Sequence, residues 1–168
     1  LSQYDSLIKK YSKRYKFDWR LISSLCYQES HFIQNQKNQW GAIGLFQVKQ
    51  MTANEPYINI KNISGSKNAE NNIHAGIKYF AWIRDRYFAR IPGIDKKAVL
   101  RLTMASYNAG PARVLRAIKL AKKMKYDPKK WFRHVEYAML KMKRVEPVTY
   151  VSEINKRFVS YLLLGIPE

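Results

Sequence analysis

Glu29 stands in the stretch LISSLCYQESHF, and at helical spacing it falls in line with Ile22, Leu25, Cys26 and Ile33. A carboxylate set among apolar side chains is poorly solvated in its charged form, which raises its pKa. A carboxylic acid still protonated near neutral pH can donate a proton to a leaving group, as a general acid must. A second reading pairs Glu29 with one of the many Lys and Arg, or puts it at the edge of the stripe. Periodicity taken alone favours that second reading, so chemistry has to be argued from the neighbours.

The first neighbour is QWGAIGLFQV, residues 39–48. Gly41 and Gly44 let a backbone approach a ligand closely. Trp40 and Phe46 offer flat faces, and Gln47 offers an amide that both donates and accepts. That mixture suits a sugar, with apolar faces for C–H surfaces and an amide for hydroxyls. It suits a turn with a hydrophobic plug equally well. The second neighbour is MASYNAGPARV, where Tyr107 and Asn108 close an apolar helix at a Gly-containing turn. They either point a phenol and an amide into a cleft or serve as core and C-cap.

An absence is as informative. Most glycosidases flank the scissile bond with two carboxylates, yet no Asp or Glu lies between Ser30 and Asn54. Glu70, Glu136 and Glu146 fall in or at the start of expected helices, where they read most simply as partners of Lys and Arg. The local sequence therefore favours chemistry by a single acid.

The elements that must hold these residues are nearly all helical. Asp5 to Tyr15 is amphipathic, with Leu7, Ile8 and Tyr11 on one side. Asp18 is suited to cap a second helix that starts at Trp19 and ends just past Glu29. Residues 34–66, rich in Asn, Gln and Gly, read as loop with a short strand or helical turn. Asn68 to about Ala89 is helical, with Ile73, Ile77, Phe80 and Tyr87 in register, and IPG at 91–93 breaks it. Ala98 to Tyr107 is a short apolar helix. Pro111 suits the first position of the next, which runs to about Met124. Trp131 to Val145 is helical again, and Pro147 opens a last helix carrying Val151, Ile154, Phe158 and Leu162. No internal repeat or linker divides the chain, so residues 1–168 are expected to form one mainly α domain with an irregular or short β segment after the second helix.

Composition narrows the partners. The chain has 168 residues, 46% of them hydrophobic and 14% aromatic, which excludes a disordered polymer, and its net charge is +19. No apolar run reaches the ~18 residues of a membrane span, and the first residues show no apolar leader. The lone Cys26 cannot form an internal disulfide and reads as a buried small hydrophobe. HVE at 134–136 resembles the start of a zinc-deaminase signature, but the two further cysteines it requires are missing. The positive charge suits nucleic acid, an anionic membrane surface, an anionic wall polymer, or a merely solvated surface. Basic residues are spread along the chain and do not choose among these. No recognised DNA-binding helix pair or aromatic RNA motif is present, so nucleic acid is not the expected partner.

Three stretches in order, YQESHF (27–32), GAIGLFQVKQMTA (41–53) and ASYNAGPARV (105–114), resemble the lytic transglycosylases with a goose-lysozyme-like catalytic domain. NAENNIHAGIKYFAWI (68–83) and VEPVTYVSEI (145–154) are similar to two further segments of that family, and residues 4–32 are most similar to its membrane-bound type F branch. The resemblance implies a lysozyme-like helical fold, and cleavage of the bond between N-acetylmuramic acid and N-acetylglucosamine without water. It implies Glu29 as acid and then base, with Ser30 orienting it. Tyr150 would lie near Glu29, and Glu146 would be a structural anchor. Gly44, Phe46, Gln47, Tyr107 and Asn108 would bind the glycan. It implies no cofactor and no metal, peptidoglycan strands as partner, a monomer, and a periplasmic or envelope location, with any membrane attachment carried outside these residues. A hydrolytic muramidase of the same fold is the alternative. Phe46 stands where the family usually has Met, and Lys49-Gln50 where it often has Met-Pro, so the resemblance does not extend to the loop shape or the fit of particular subsites, and it leaves the identity of the acid untouched.

Overall fold

Asp5 opens helix α1 (Asp5–Arg14), its side chain accepting hydrogen bonds from the backbone N–H and hydroxyl of Ser2. The chain is described over residues Leu1–Glu168 by a computed structural model. Ile8 and Tyr11 are buried on α1, which packs against α2 (Trp19–Ser30). Asp18 caps α2 as its residue type predicts, accepting from the backbone N–H of Arg20 at 2.9 Å. Its carboxylate also holds the Arg20 guanidinium, whose remaining donors reach Ile166 O and Glu168. The Trp19 indole donates to Pro167 O, so the start of α2 is pinned from two sides.

The loop after α2 contains an antiparallel ribbon, β1 (Ala42–Ile43) with β2 (Val48–Lys49), in register Ala42 to Lys49 and Ile43 to Val48. Helix α3 (Gln50–Asn54) follows, and an irregular stretch buries Ile58 and Ile63. α4 (Ala69–Ile83) continues into a wider turn over 84–88, where the Ala89 N–H reaches back five residues to Arg84 O. α5 (Lys96–Ala109) is capped by Asp95 and ends at Gly110, and α6 (Pro111–Lys123) starts on the proline. A kink at Phe132 and Arg133 interrupts the stretch from Trp131, leaving α7 as Glu136–Lys141. The continuous helix expected to Val145 is therefore not formed: Arg133 is left-handed (φ 66°) and Phe132 extended. α8 (Val145–Leu163) begins two residues before the expected Pro147. Eight α-helices and one small ribbon make the mainly α class explicit.

The backbone groups into two units, Leu1–Ala81 with Ile154–Glu168, and Trp82–Glu153. The first buries Ile8, Ile22, Leu25, Leu45, Phe46, Ile73, Ile77 and Phe80; the second buries Phe88, Leu102, Val114, Trp131 and Met139. No helix is long and apolar enough to cross a membrane.

Candidate active site

Glu29 lies in the last turn of α2 and is half-buried. The apolar stripe below it is real: Ile22, Leu25 and Cys26 are fully buried. The stripe does not continue to Ile33, which is 51% exposed. The helix has already ended, because His31 and Phe32 both take left-handed backbone conformations (φ 53° and 63°). Glu29 thus stands at the upper edge of the stripe, at the junction of an apolar helix face and solvent. Burial pushes the Cys26 thiol well above its usual pKa, with the neighbouring charge of Glu29 adding to the effect. Cys26 is a buried hydrophobe, as its position suggested.

The helix end is braced. Ser30 is buried, and its hydroxyl donates to Leu45 O at 2.9 Å, which ties the turn carrying Glu29 to the Gly44–Gln47 loop. The Ile33 N–H donates to the same hydroxyl oxygen. Arg157, from the last turns of α8, lies over the Tyr27 ring at 4.1 Å and donates to Gln28 Oε1 at 3.3 Å. Tyr27 also meets the rings of His31 and Phe32 edge-on. Non-glycine residues with positive φ are costly, and they cluster where a function holds them in place. Three of the nine in this chain, His31, Phe32 and Gln47, flank Glu29 in sequence or through the Ser30 bond.

Two buried amides shape the loop, and neither was singled out from the sequence. Gln34 donates to Ile63 O and Gly65 O and accepts from the Leu45 N–H. Asn72, from the buried face of α4, donates to Ile43 O and Ile63 O and accepts from the Phe46 N–H. Gly44 sits between them with φ 77°; a Cβ there would lie 2.4 Å from Asn72 Nδ2 and 2.7 Å from Gln34 Oε1. The signal for Asn72 was present, since it shares a helical face with Ile73, Gly76 and Phe80.

Phe46 requires a correction. It is 0% exposed and so offers no face to a sugar. Its side chain fills the space above Gly76, where a Cβ would come within 2.3 Å of Phe46 Cβ. Trp40, by contrast, is 70% exposed and is the open aromatic surface of this loop. Gln47 donates both amide hydrogens to backbone, to Gly44 O at 2.9 Å and Gln36 O at 3.2 Å. Its side-chain oxygen is the atom left for a ligand donor.

The remaining expected residues belong to the second unit. Tyr107 and Asn108 are in the last turn of α5 and half-buried. The C-cap is Gly110 and not Asn108, whose amide donates to Glu146 Oε1 at 3.2 Å. Glu146 is in the first turn of α8, where a carboxylate is favoured by the helix dipole. One turn further on, Tyr150 is buried. No group of three or more His, Cys, Asp or Glu is placed to hold a metal ion.

Comparison with known proteins places these features in a family. Residues 6–130 match the family described as Transglycosylase SLT domain. Relatives named membrane-bound lytic murein transglycosylase F include one from Marinobacter nauticus, 33% identical over 94% of this chain, and one from Desulfosudis oleivorans, 37% identical over 78%. The chain spans 32% and 27% of their respective lengths, about a third or less. An inactive mutant of the lytic transglycosylase Slt from Pseudomonas aeruginosa superposes with a TM-score of 0.71 over 99% of this chain and 25% of its own, at 20% identity. That likeness shows the lysozyme-like helical fold expected from the sequence.

Proposed function

Because the chain belongs to the transglycosylase SLT domain family, we propose that it is a peptidoglycan lytic transglycosylase with Glu29 as its only acid and base. In this reading residues 1–168 are one catalytic domain acting as a monomer on glycan strands in the periplasm or envelope. The observation that carries it is the Ser30 hydrogen bond to Leu45 O, which joins the Glu29 helix end to the loop of Gln47 across an acid-free segment.

Glu29 begins protonated. It is half-buried in the last turn of α2, above the buried side chains of Leu25 and Cys26. Its proton passes to the oxygen that links muramyl C1 to N-acetylglucosamine, and the C1–O bond breaks. The substrate's own N-acetyl oxygen stabilises the positive charge that develops at C1. Glu29, now a carboxylate, takes the proton of the muramyl C6 hydroxyl as that oxygen bonds to C1. A 1,6-anhydro ring closes, no water is consumed, and Glu29 is protonated again. Ser30 keeps the acid's helix end fixed, Gly44 and Gln47 shape the glycan contact, Tyr107 and Asn108 bind the glycan, and Tyr150 has a supporting role. Glu146 anchors Asn108.

The test is digestion of purified peptidoglycan by wild type and Glu29→Gln, with mass spectrometry of the fragments. Wild type is expected to release anhydromuramyl ends, and the variant to lose about 10²–10⁴-fold in rate. Equal rates would remove Glu29 from the mechanism, and reducing ends in place of anhydro ends would make the enzyme a muramidase.

A further inference from the structure

A cavity of about 650 Å³ opens at the other end of α2, lined by Lys9, Ser12, Lys13, Lys16, Phe17 and Trp19 together with the acids Asp18 and Glu168. At 1.5 Å per residue it lies roughly 16 Å along the helix from Glu29. It is therefore distinct from the candidate active site.

Its charge is unbalanced. Asp18 and Glu168 line it, but both are engaged by Arg20. Lys9, Lys13 and Lys16 make no ion pair with any carboxylate within 4.0 Å. Lys9 instead rests 4.4 Å above the Trp19 ring. Residues 9, 12, 13 and 16 follow helical spacing, so one side of α1 and its exit faces the cavity. Lys16 is held there by a left-handed backbone (φ 63°). Among the lysines sits Ser12, 1% exposed, whose hydroxyl has no hydrogen-bond partner. A buried unpaired hydroxyl costs free energy, and a ligand acceptor would offset that cost.

We propose that this cavity binds the carboxylates of an extended peptide, of the kind carried on the muramyl residues of peptidoglycan. The identity of the peptide's source rests on the function proposed above; the chemistry of the site does not. Lys9 and Lys13 stand one turn apart, about 6 Å along the axis. An extended peptide advances about 3.3 Å per residue, so acid groups two or three residues apart match them. Phe17 and Trp19 supply apolar wall for the side chains between. A phosphate is best matched by an arginine fork or a cluster of helix N-terminal N–H groups, although lysines bind it as point charges. Here the guanidinium of Arg20 is engaged elsewhere, and α1 presents its side, not its N-terminus.

The experiment follows the Trp19 indole N–H by NMR while a synthetic, glycan-free stem tetrapeptide with two free carboxylates is added. Binding is expected to shift that signal. Amidating the peptide carboxylates, or substituting Lys9→Gln/Lys13→Gln/Lys16→Gln, is expected to weaken it by at least about tenfold. Equal binding of the amidated peptide, an unaffected triple variant, no shift with the wild type, or displacement by equimolar inorganic phosphate would each overturn the proposal. Cleavage of peptide-free glycan is read in parallel, and the triple variant should retain it. Loss of all cleavage in wild type would refute the enzymatic reading and leave the peptide titration to decide this site independently.

Discussion

Asn72 holds three backbone groups, of which Gln34 shares only Ile63 O, so replacing it by Asp is a sharp perturbation. Asp has the same shape but exchanges the amide N–H₂ for an oxygen. The Phe46 N–H at 2.9 Å keeps its acceptor, while Ile43 O at 2.9 Å loses the Asn72 donor and Ile63 O at 3.1 Å is left with Gln34 alone, and both face a second oxygen. One buried carbonyl stripped of its donor costs about 1–3 kcal/mol, and the buried carboxylate adds a desolvation cost, so Asn72→Asp should lose about 2–4 kcal/mol near neutral pH. The fully buried carboxyl is expected to titrate above its unfolded value of ~3.9. A carboxyl raised in the folded state stabilises below its unfolded pKa, and that contribution is lost as pH rises through the folded one. The deficit relative to wild type should therefore shrink on acidification, as the protonated group regains one donor. Urea unfolding of both proteins at matched pH values reads this, and hydrogen exchange reads the site: Phe46 N–H protection should survive in Asn72→Asp and fall in Asn72→Ala. A pH-independent loss within about 0.5 kcal/mol of wild type would refute the assignment of Asn72 as the loop's organiser.

Gly44→Ala should destabilise by about 3 kcal/mol or more, from the clash with Asn72 and Gln34 and the left-handed backbone, and thermal unfolding will register it. Arg20→Ala should cost about 3–5 kcal/mol in urea unfolding, because it strips the partner from Asp18 and frees Ile166 O at the start of α2. His74, stacked on Tyr11 and bonded to the Tyr15 hydroxyl, is lowered to a pKa of about 4 by burial and by nearby Arg14 and Lys78. Its contribution is present above the unfolded pKa and lost as pH falls through the folded one. About 1–2 kcal/mol should vanish between roughly pH 6.5 and 4 after discounting for solvent screening, and His74→Phe should flatten that part of the stability–pH curve.

Local chemistry was legible where the deciding partner is a few residues away. Asp18 as N-cap, Pro111 at a helix start and Gly110 after the tyrosine–asparagine turn depend on groups within one helical turn. Sequence places the end of α2 to within a residue, but helical spacing extends the stripe to Ile33, and only the left-handed turn at His31 and Phe32 removes Ile33 from the helix. The kink at Phe132 and Arg133 was invisible because nothing in WFRHV marks a left-handed residue. Phe46 is ambiguous in the sequence for another reason. A large aromatic after a glycine suits either a ligand face or a core, and Gly76 of α4 decides for the core by leaving the space that the ring fills.

The sequence by itself determined the helical class, the position of Glu29 at a helix end, the acid-free segment after it and the family those motifs belong to. Tertiary structure alone decided that Glu29 is half-buried, that Phe46 is core and Trp40 surface, that Gln34 and Asn72 hold the loop, and that three unpaired lysines share a cavity with a buried hydroxyl. The division has a physical cause. Caps, turns and helical faces are set by neighbours along the chain, whereas burial and hydrogen-bond satisfaction depend on segments far apart in sequence that meet only when the chain is folded.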